Sequence, residues 1–234
     1  MRRTRPLLAA ALVAALAGCE STESATAEFE TDQQKASYGI GLRMGGQLQP
    51  AADHIDMAAF RAGIDDALAD REPRVGDEEI QSAMEAFNQA VQAEMTAEAE
   101  AEGQRNTEEG GAFLAENGAR EGVVTTDSGL QYEVLREGEG ASPGPDDRVT
   151  IHYRGTLIDG TEFDSSYERG SPATFSVGGV ISGFSEGLQL MSVGGQYRFY
   201  VPGAIGYGPR GNPPDIGPNA TLIFEVELLE IPAS

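Results

Sequence analysis

The sequence contains no tryptophan, a single cysteine and only two histidines. One thiol cannot close a disulfide within the chain or build a thiolate metal site. His54 and His152 fall in different parts of the chain, so they supply neither a metal-ligand set nor a nucleophile-base pair. Basic residues are scarce as well: 16 Lys and Arg against 38 Asp and Glu give a formal net charge of −22. Such a chain repels phosphate backbones and anionic membrane surfaces, which argues against nucleic acid as a partner. Gly178-Gly179 and Gly194-Gly195 lack the Lys and Ser/Thr of a phosphate loop and read as turns. The apolar run from Leu7 to Leu16 is too short for a comfortable membrane span.

That run does fit a targeting segment. Arg2, Arg3 and Arg5 precede it and small residues follow, the layout of a signal peptide over residues 1–18. Leu16-Ala17-Gly18-Cys19 resembles a bacterial lipobox, which implies cleavage before Cys19 and lipidation of that residue; an ordinary secretory signal is the alternative. Loss of the leader would make the mature chain three charges more negative. Two or three acyl chains give stable anchoring, so the expected location is the bacterial envelope, lipid-anchored and facing the periplasm, the outer membrane being favoured. Residues 19–30, rich in Ser, Thr, Ala and Glu, read as a flexible tether.

Aromatics divide the remainder: five precede Ser128 and eleven follow it. The Ala/Glu/Gln-rich first part predicts helices over residues 31–120. Thr31 and Gln34 have capping-box spacing, Ile40, Met44 and Leu48 share a face, and Pro50 is placed to end the first helix. Gly39, Gly41, Gly45 and Gly46 each cost about 1 kcal/mol against Ala, a cost that close approach of another backbone would explain. Asp56 is placed to cap a second helix bearing Phe60, Ile64 and Leu68. A third opens at Asp77, with Ile80, Met84, Phe87, Val91 and Met95 at helical spacing, and runs for roughly 40 residues or about 60 Å. Gly103, Gly110 and Gly111 are expected to weaken its later part. Two short helices cannot cover so long a stripe, and another partner is needed.

From residue 121 the signals are those of strands. Gly129 to Leu135 is expected to begin a sheet. Val149, Ile151 and Tyr153 alternate with polar residues, Asp159-Gly160 offers the positive φ angles of a tight hairpin, and a second strand ends at Phe163-Asp164. His152 belongs to the solvent side of that alternation. Two aromatics and a carboxylate thus converge from adjacent strands, and an acid beside apolar rings needs hydrogen-bond partners to stay ionised. Further strands are expected at Thr174 to Val177, Tyr197 to Val201 and Thr221 to Ile231, with one short helix near Phe184 to Met191 and a long Gly/Pro loop over residues 202–218.

With Val180-Ile181-Ser182-Gly183-Phe184, Gly206-Tyr207-Gly208 and Ile216 to Leu228 added in order and spacing, residues 129–232 resemble the FKBP-type peptidyl-prolyl isomerase domain. The segment from Lys35 to Asn117 is similar to the dimerisation and linker region of the macrophage infectivity potentiator branch of that family. The implied fold is α+β: an all-helical amino-terminal dimerisation module, a long linker helix, and over residues 121–234 an antiparallel sheet wrapped around a short helix. The implied activity is cis-trans isomerisation of X-Pro bonds in exported proteins, without cofactor or metal, by a homodimer whose partners are unfolded or proline-containing clients.

The resemblance also assigns residues. Asp164, Tyr207, Phe224 and Tyr153 take the catalytic positions, and Phe163, Arg169, Phe175, Val180, Ile181, Phe184 and Ile216 the substrate-binding ones. Tyr207 would donate to the substrate carbonyl, Asp164 would lie beside the twisting amide, and Arg169 would pair with a pocket tyrosine or carboxylate. Two positions depart from the family: the floor, usually tryptophan, is Phe184, and a wall position that is often aromatic is Ala173. The alternative reading is a non-catalytic chaperone or peptide-binding module that uses the same pocket together with the cleft of a dimer.

Overall fold

The structure, a computed structural model, describes residues 29–232. The signal peptide, Cys19 and all of the tether before Phe29 lie outside the described residues. Two compact units divide between Leu68 and Ala69.

The first unit is helical. Helix α1 (Asp32–Leu48) starts with the expected box: Thr31 Oγ1 accepts from the Gln34 amide at 3.2 Å, and the Gln34 side chain accepts from the Thr31 amide at 2.9 Å. The α-helix ends at Leu48, two residues before Pro50, as expected. The chain tightens into a 3₁₀ turn, Gln49–His54, where a proline near the first position forfeits no intrahelical bond. Helix α2 (Met57–Leu68) follows, and the Asp56 carboxylate accepts from the amides of Ala58 and Ala59, which holds its pKa below the ordinary value. None of α1 is buried: Tyr38, Ile40, Leu42 and Met44 are all at least 42% exposed. A cleft of about 230 Å³ runs between Met44, Leu48, Ile55, Met57, Phe60 and Ile64. A Cβ added at any of the α1 glycines would meet nothing within 4 Å among the described residues.

The second unit opens with helix α3 (Asp77–Gly118), 42 residues and about 63 Å long. Asp77, Glu78 and Glu79 occupy its first turn, where the helix dipole favours negative charge. The helix runs on for about six turns past Met95, the last residue of that apolar stripe, and keeps its form through Gly103, Gly110 and Gly111. Gly103, Gly110 and Asn117 are the buried residues of α3, spaced by seven, and so form one seam along the helix. That seam lies against the rest of the unit: the Asn117 amide donates to Gln131 at 2.8 Å, and the Gln131 amide donates back to the Leu114 carbonyl at 2.8 Å.

Seven strands make one antiparallel sheet: β1 (Val123–Thr125), β2 (Gln131–Arg136), β3 (Arg148–Leu157), β4 (Glu162–Ser165), β5 (Ala173–Ser176), β6 (Gln196–Val201) and β7 (Leu222–Glu230). Their order is β1-β2-β6-β7-β3-β4, and β5 pairs with the first half of β3. The sheet thus begins at Val123, earlier than the expected Gly129, because Val123–Thr125 finds β2 as a partner. The β3-β4 connection also differs in detail. Only Gly160 has positive φ, at 89°, and Leu157 and Thr161 close the loop, the geometry of a type I turn with a glycine bulge instead of two left-handed residues.

Helix α4 (Ser182–Leu190) packs its Phe184 and Leu188 face on the sheet. Period-two burial along β3 and β7 turns Val149, Ile151, Tyr153, Phe224, Val226 and Leu228 inward against it. The core therefore sits between α4 and the curved sheet. At one end it opens into a cavity.

Candidate active site

The register of the central strands brings the cavity together. Gly155 of β3 is paired on one side with Asp164 of β4 and on the other with Phe224 of β7. A side chain at Gly155 would strike Phe163: an added Cβ would lie 2.5 Å from the ring and 3.1 Å from that of Phe224. Its absence lets Phe163 and Phe224 meet edge to face, with centroids 5.5 Å apart. Phe184, 5% exposed, lies beneath them, 4.7 Å from Phe224 and 6.4 Å from Tyr153, and Phe199 supports it from below at 6.0 Å. Such angled contacts are the favoured aromatic geometry and contribute about 0.5–1.5 kcal/mol per pair beyond burial.

The resulting cavity has a volume of about 390 Å³. Ten of the sequence-predicted positions line it: Tyr153, Phe163, Asp164, Phe175, Val180, Ile181, Phe184, Tyr207, Ile216 and Phe224. Arg169 is not in the lining. It stands at the rim, where its guanidinium donates to Asp164 Oδ1 and, at 2.7 Å, to the Tyr153 hydroxyl, with its Cζ 5.4 Å from the Tyr153 ring centre. Ala173 is also outside the lining; it packs on the core beside Ile151, while Phe175, two residues on, reaches the cavity. Cys19 lies outside the described residues.

One carboxylate is held firmly. Asp164 accepts from the Tyr153 hydroxyl through Oδ2 and from Arg169 through Oδ1. Burial, then the hydrogen bond to Asp164, push the Tyr153 phenol up to about 12, with Arg169 opposing. Tyr153 and then Asp164 in turn hold the Arg169 guanidinium above its ordinary value. Tyr207 is different: its hydroxyl has no hydrogen-bond partner among the described residues. Burial, then the charge of Asp164, raise its pKa, so at neutral pH it is a protonated donor with an empty hand.

Several members were not foreseen. Gly179, Asn212 and Asp215 also line the cavity, the last two from the Gly/Pro loop, where no periodicity marks direction. Ser166, fully buried, anchors the chain that leaves Asp164: its hydroxyl accepts from the Tyr153 amide at 2.8 Å and lies 3.0 Å from His152 Nδ1. His152 is accordingly half-buried and not a solvent-facing residue, and its ring stacks on Tyr167 at 4.6 Å. Nothing in the local pattern flags either residue, since Ser166 follows the strand that carries the acid.

A cavity lined by aromatic rings, with a paired acid and one unpartnered phenol, can bind an apolar ring and donate to a carbonyl next to it. It has no nucleophile poised beside a base, so covalent chemistry is not what this geometry serves.

Comparison with known proteins gives the same answer. The model of the FKBP-type peptidyl-prolyl cis-trans isomerase matches residues 139–229, and that of the domain amino terminal to FKBP-type isomerases matches residues 33–134. The chain is 44% identical to the FKBP-type 22 kDa peptidyl-prolyl cis-trans isomerase of Escherichia coli over 207 residues, 88% of this chain and 98% of that protein. It is 36% identical to the outer membrane protein MIP of Legionella longbeachae over 228 residues, 97% of this chain and 96% of that one. The crystal structure of FkpA from Escherichia coli superposes with a TM-score of 0.67 at 36% identity, covering 87% of this chain and 98% of that chain. With the helical unit and the cavity-bearing sheet each matched, and 44% identity to a relative covered almost completely, the chain belongs to the family of FKBP-type peptidyl-prolyl cis-trans isomerases.

Proposed function

We propose that this peptidyl-prolyl cis-trans isomerase works through the 390 Å³ cavity, with Phe163, Val180, Ile181, Phe184, Ile216 and Phe224 around the prolyl ring and Tyr207 donating to a substrate carbonyl. The barrier to rotation, about 18–20 kcal/mol, is the lost resonance of the amide. A planar amide carries more charge on its oxygen than a twisted one and is better solvated by water. An apolar cavity withdraws that solvation and so favours the twisted state differentially. Asp164, fixed by Tyr153 and Arg169, sets the field beside the rotating bond. Lowering the barrier by about 5–7 kcal/mol accelerates the reaction roughly 10⁴- to 10⁵-fold. The observation that carries this reading is the aromatic cavity itself, with the Tyr207 hydroxyl lining it and bonded to no other described residue.

The biological setting is the cell envelope. Lipidation at Cys19 after removal of residues 1–18 would tether the protein, and exported polypeptides with slow X-Pro bonds are its clients. The active form is a homodimer through the first unit, supported by the exposed Tyr38, Ile40, Leu42 and Met44 and by α1 glycines with no close neighbour among the described residues. The chaperone alternative uses the same cavity and has no feature of its own to favour it.

The test is the cis-to-trans rate of a short X-Pro peptide with the purified chain and its Tyr207→Phe variant. Clear acceleration by the parent and a loss in the variant support the assignment. A folded parent that leaves the rate unchanged rejects it, and a mature protein without added mass at Cys19 rejects the anchor.

A further inference from the structure

The long loop after β6 has two sides. One side gives the cavity Tyr207, Asn212, Asp215 and Ile216. The other, through Gly217, Pro218 and Asn219, lies on helix α3. Ile205 and Ile216 pack on the core, and the segment that follows Ile216 is held at its base by polar contacts. Those contacts come from the helix. The Asn106 side-chain amide donates to the Pro218 carbonyl at 2.8 Å, and the Asn219 side-chain amide reaches the Gly103 carbonyl at 3.4 Å. Asn219 itself is left-handed, with φ of 55°, and its backbone amide donates to the Gly208 carbonyl at 2.8 Å. Gly208 is the residue after Tyr207. Two steps therefore connect α3 to the donor in the cavity.

The approach is close enough for a glycine on the helix to favour it. A Cβ at Gly103 would stand 3.1 Å from both Pro218 Cβ and Asn219 Nδ2, whereas one at Gly111, on the same helix, would meet nothing within 4 Å.

We propose that Gly103 and Asn106 of α3 are positioning residues for the isomerase site, holding Pro218 and Asn219 so that the 207–219 loop keeps Tyr207 at the cavity. The catalytic part of this proposal rests on the isomerase reading above; the brace itself does not. The linker helix is then a structural part of the active site as well as a spacer. Misplacing a donor by about 1 Å can cost on the order of 100-fold in rate.

The experiment uses the full-length protein with Gly103→Leu, Asn106→Ala and, as a matched control, Gly111→Ala. Two quantities are read: hydrogen exchange of the 207–219 segment by mass spectrometry, and kcat and KM on an X-Pro peptide. Expected for both brace variants is faster exchange in that segment with kcat reduced about tenfold and KM changed less. The control should match the parent in both and melt no lower, since it exchanges a helical glycine for alanine in open space. Asn106→Ala removes side-chain atoms only and keeps the test decisive where Gly103→Leu fails to fold. Unchanged exchange in a folded brace variant overturns the proposal, as does faster exchange with an unchanged kcat. A parent without isomerase activity whose brace variants still exchange faster would leave the brace standing and reject the isomerase reading instead.

Discussion

The Tyr153 hydroxyl donates to the Asp164 carboxylate across the β3-β4 hairpin, and Arg169 bonds both of them. The triangle is partly wet: the side chains of Arg169 and Asp164 are 46% and 41% exposed. Its contribution to stability is therefore small, about 0–1 kcal/mol for an exposed ion pair. Its value lies in fixing the orientation of Asp164, the cavity acid whose charge acts on Tyr207. Removing the acid should consequently affect rate far more than folding. Asp164→Ala is expected to lower kcat/KM by about 10- to 100-fold, the scale of losing one preorganised electrostatic contact, with a melting temperature close to the parent's. Arg169→Ala should cost less, since Tyr153 still holds the carboxylate. Peptide kinetics beside a thermal melt separate the two effects, and a parental kcat/KM in Asp164→Ala would remove the acid from the mechanism.

Alkaline pH should expose the phenols. A tyrosine donates only while protonated, and burial with the Asp164 charge raises the Tyr207 pKa above 10.0. The rate is expected to stay level through neutrality and to fall only above pH 10, and that limb should be missing in Tyr207→Phe. Stability should follow Tyr153. Its folded pKa of about 12 exceeds the ordinary 10.0, so its contribution is complete below pH 10 and is lost as pH rises toward 12. Melting curves across pH 8–12 for the parent and Tyr153→Phe check the sign, because the variant should lose less stability over that window.

Gly155 is the position where an added methyl should do most harm. The Cβ of Gly155→Ala would enter the Phe163 ring and crowd Phe224, and β3 cannot retreat because it is paired on both edges. Overpacking of this kind costs about 1–3 kcal/mol. Denaturant unfolding should show that loss, and peptide binding should weaken with it as the two rings are forced into the cavity. A neutral Gly155→Ala would mean that the hairpin is more pliant than its register implies.

How much of this was legible beforehand follows the physics of each element. The alternation of Val149, Ile151 and Tyr153 announced β3 because a strand buried on one face must repeat with period two, and the capping residues Thr31 and Asp56 announced α1 and α2 because each satisfies amides that have no other partner. The seam of α3 was missed for a related reason. A search for apolar stripes finds helices that dock through side chains, while Gly103, Gly110 and Asn117 dock through backbone proximity and an amide; only their spacing of seven gave a clue. Asn212 and Asp215 lie in a loop whose direction depends on contacts distant in sequence, which no local pattern records. The position of Arg169 at the rim was likewise settled by where the turn after Ser166 carried it.

The first unit carries the last expectation. Among the described residues α1 buries nothing, Ile40 is 52% and Leu42 57% exposed, and glycines that cost helix stability face no neighbour. Such a surface is expensive to leave in water, at about 25 cal/mol per Å² of apolar area, and a second copy of the same face would cover it symmetrically. Sedimentation of the soluble chain at micromolar concentration should therefore give a dimer, and Leu42→Glu should shift it to monomer by placing a charge in the apolar seam. Because every residue lining the cavity belongs to the second unit, the monomeric variant should keep the parental kcat/KM on a short peptide. A monomeric parent would remove the dimer; a dimer whose Leu42→Glu variant loses peptide activity would show that the two units are coupled in catalysis.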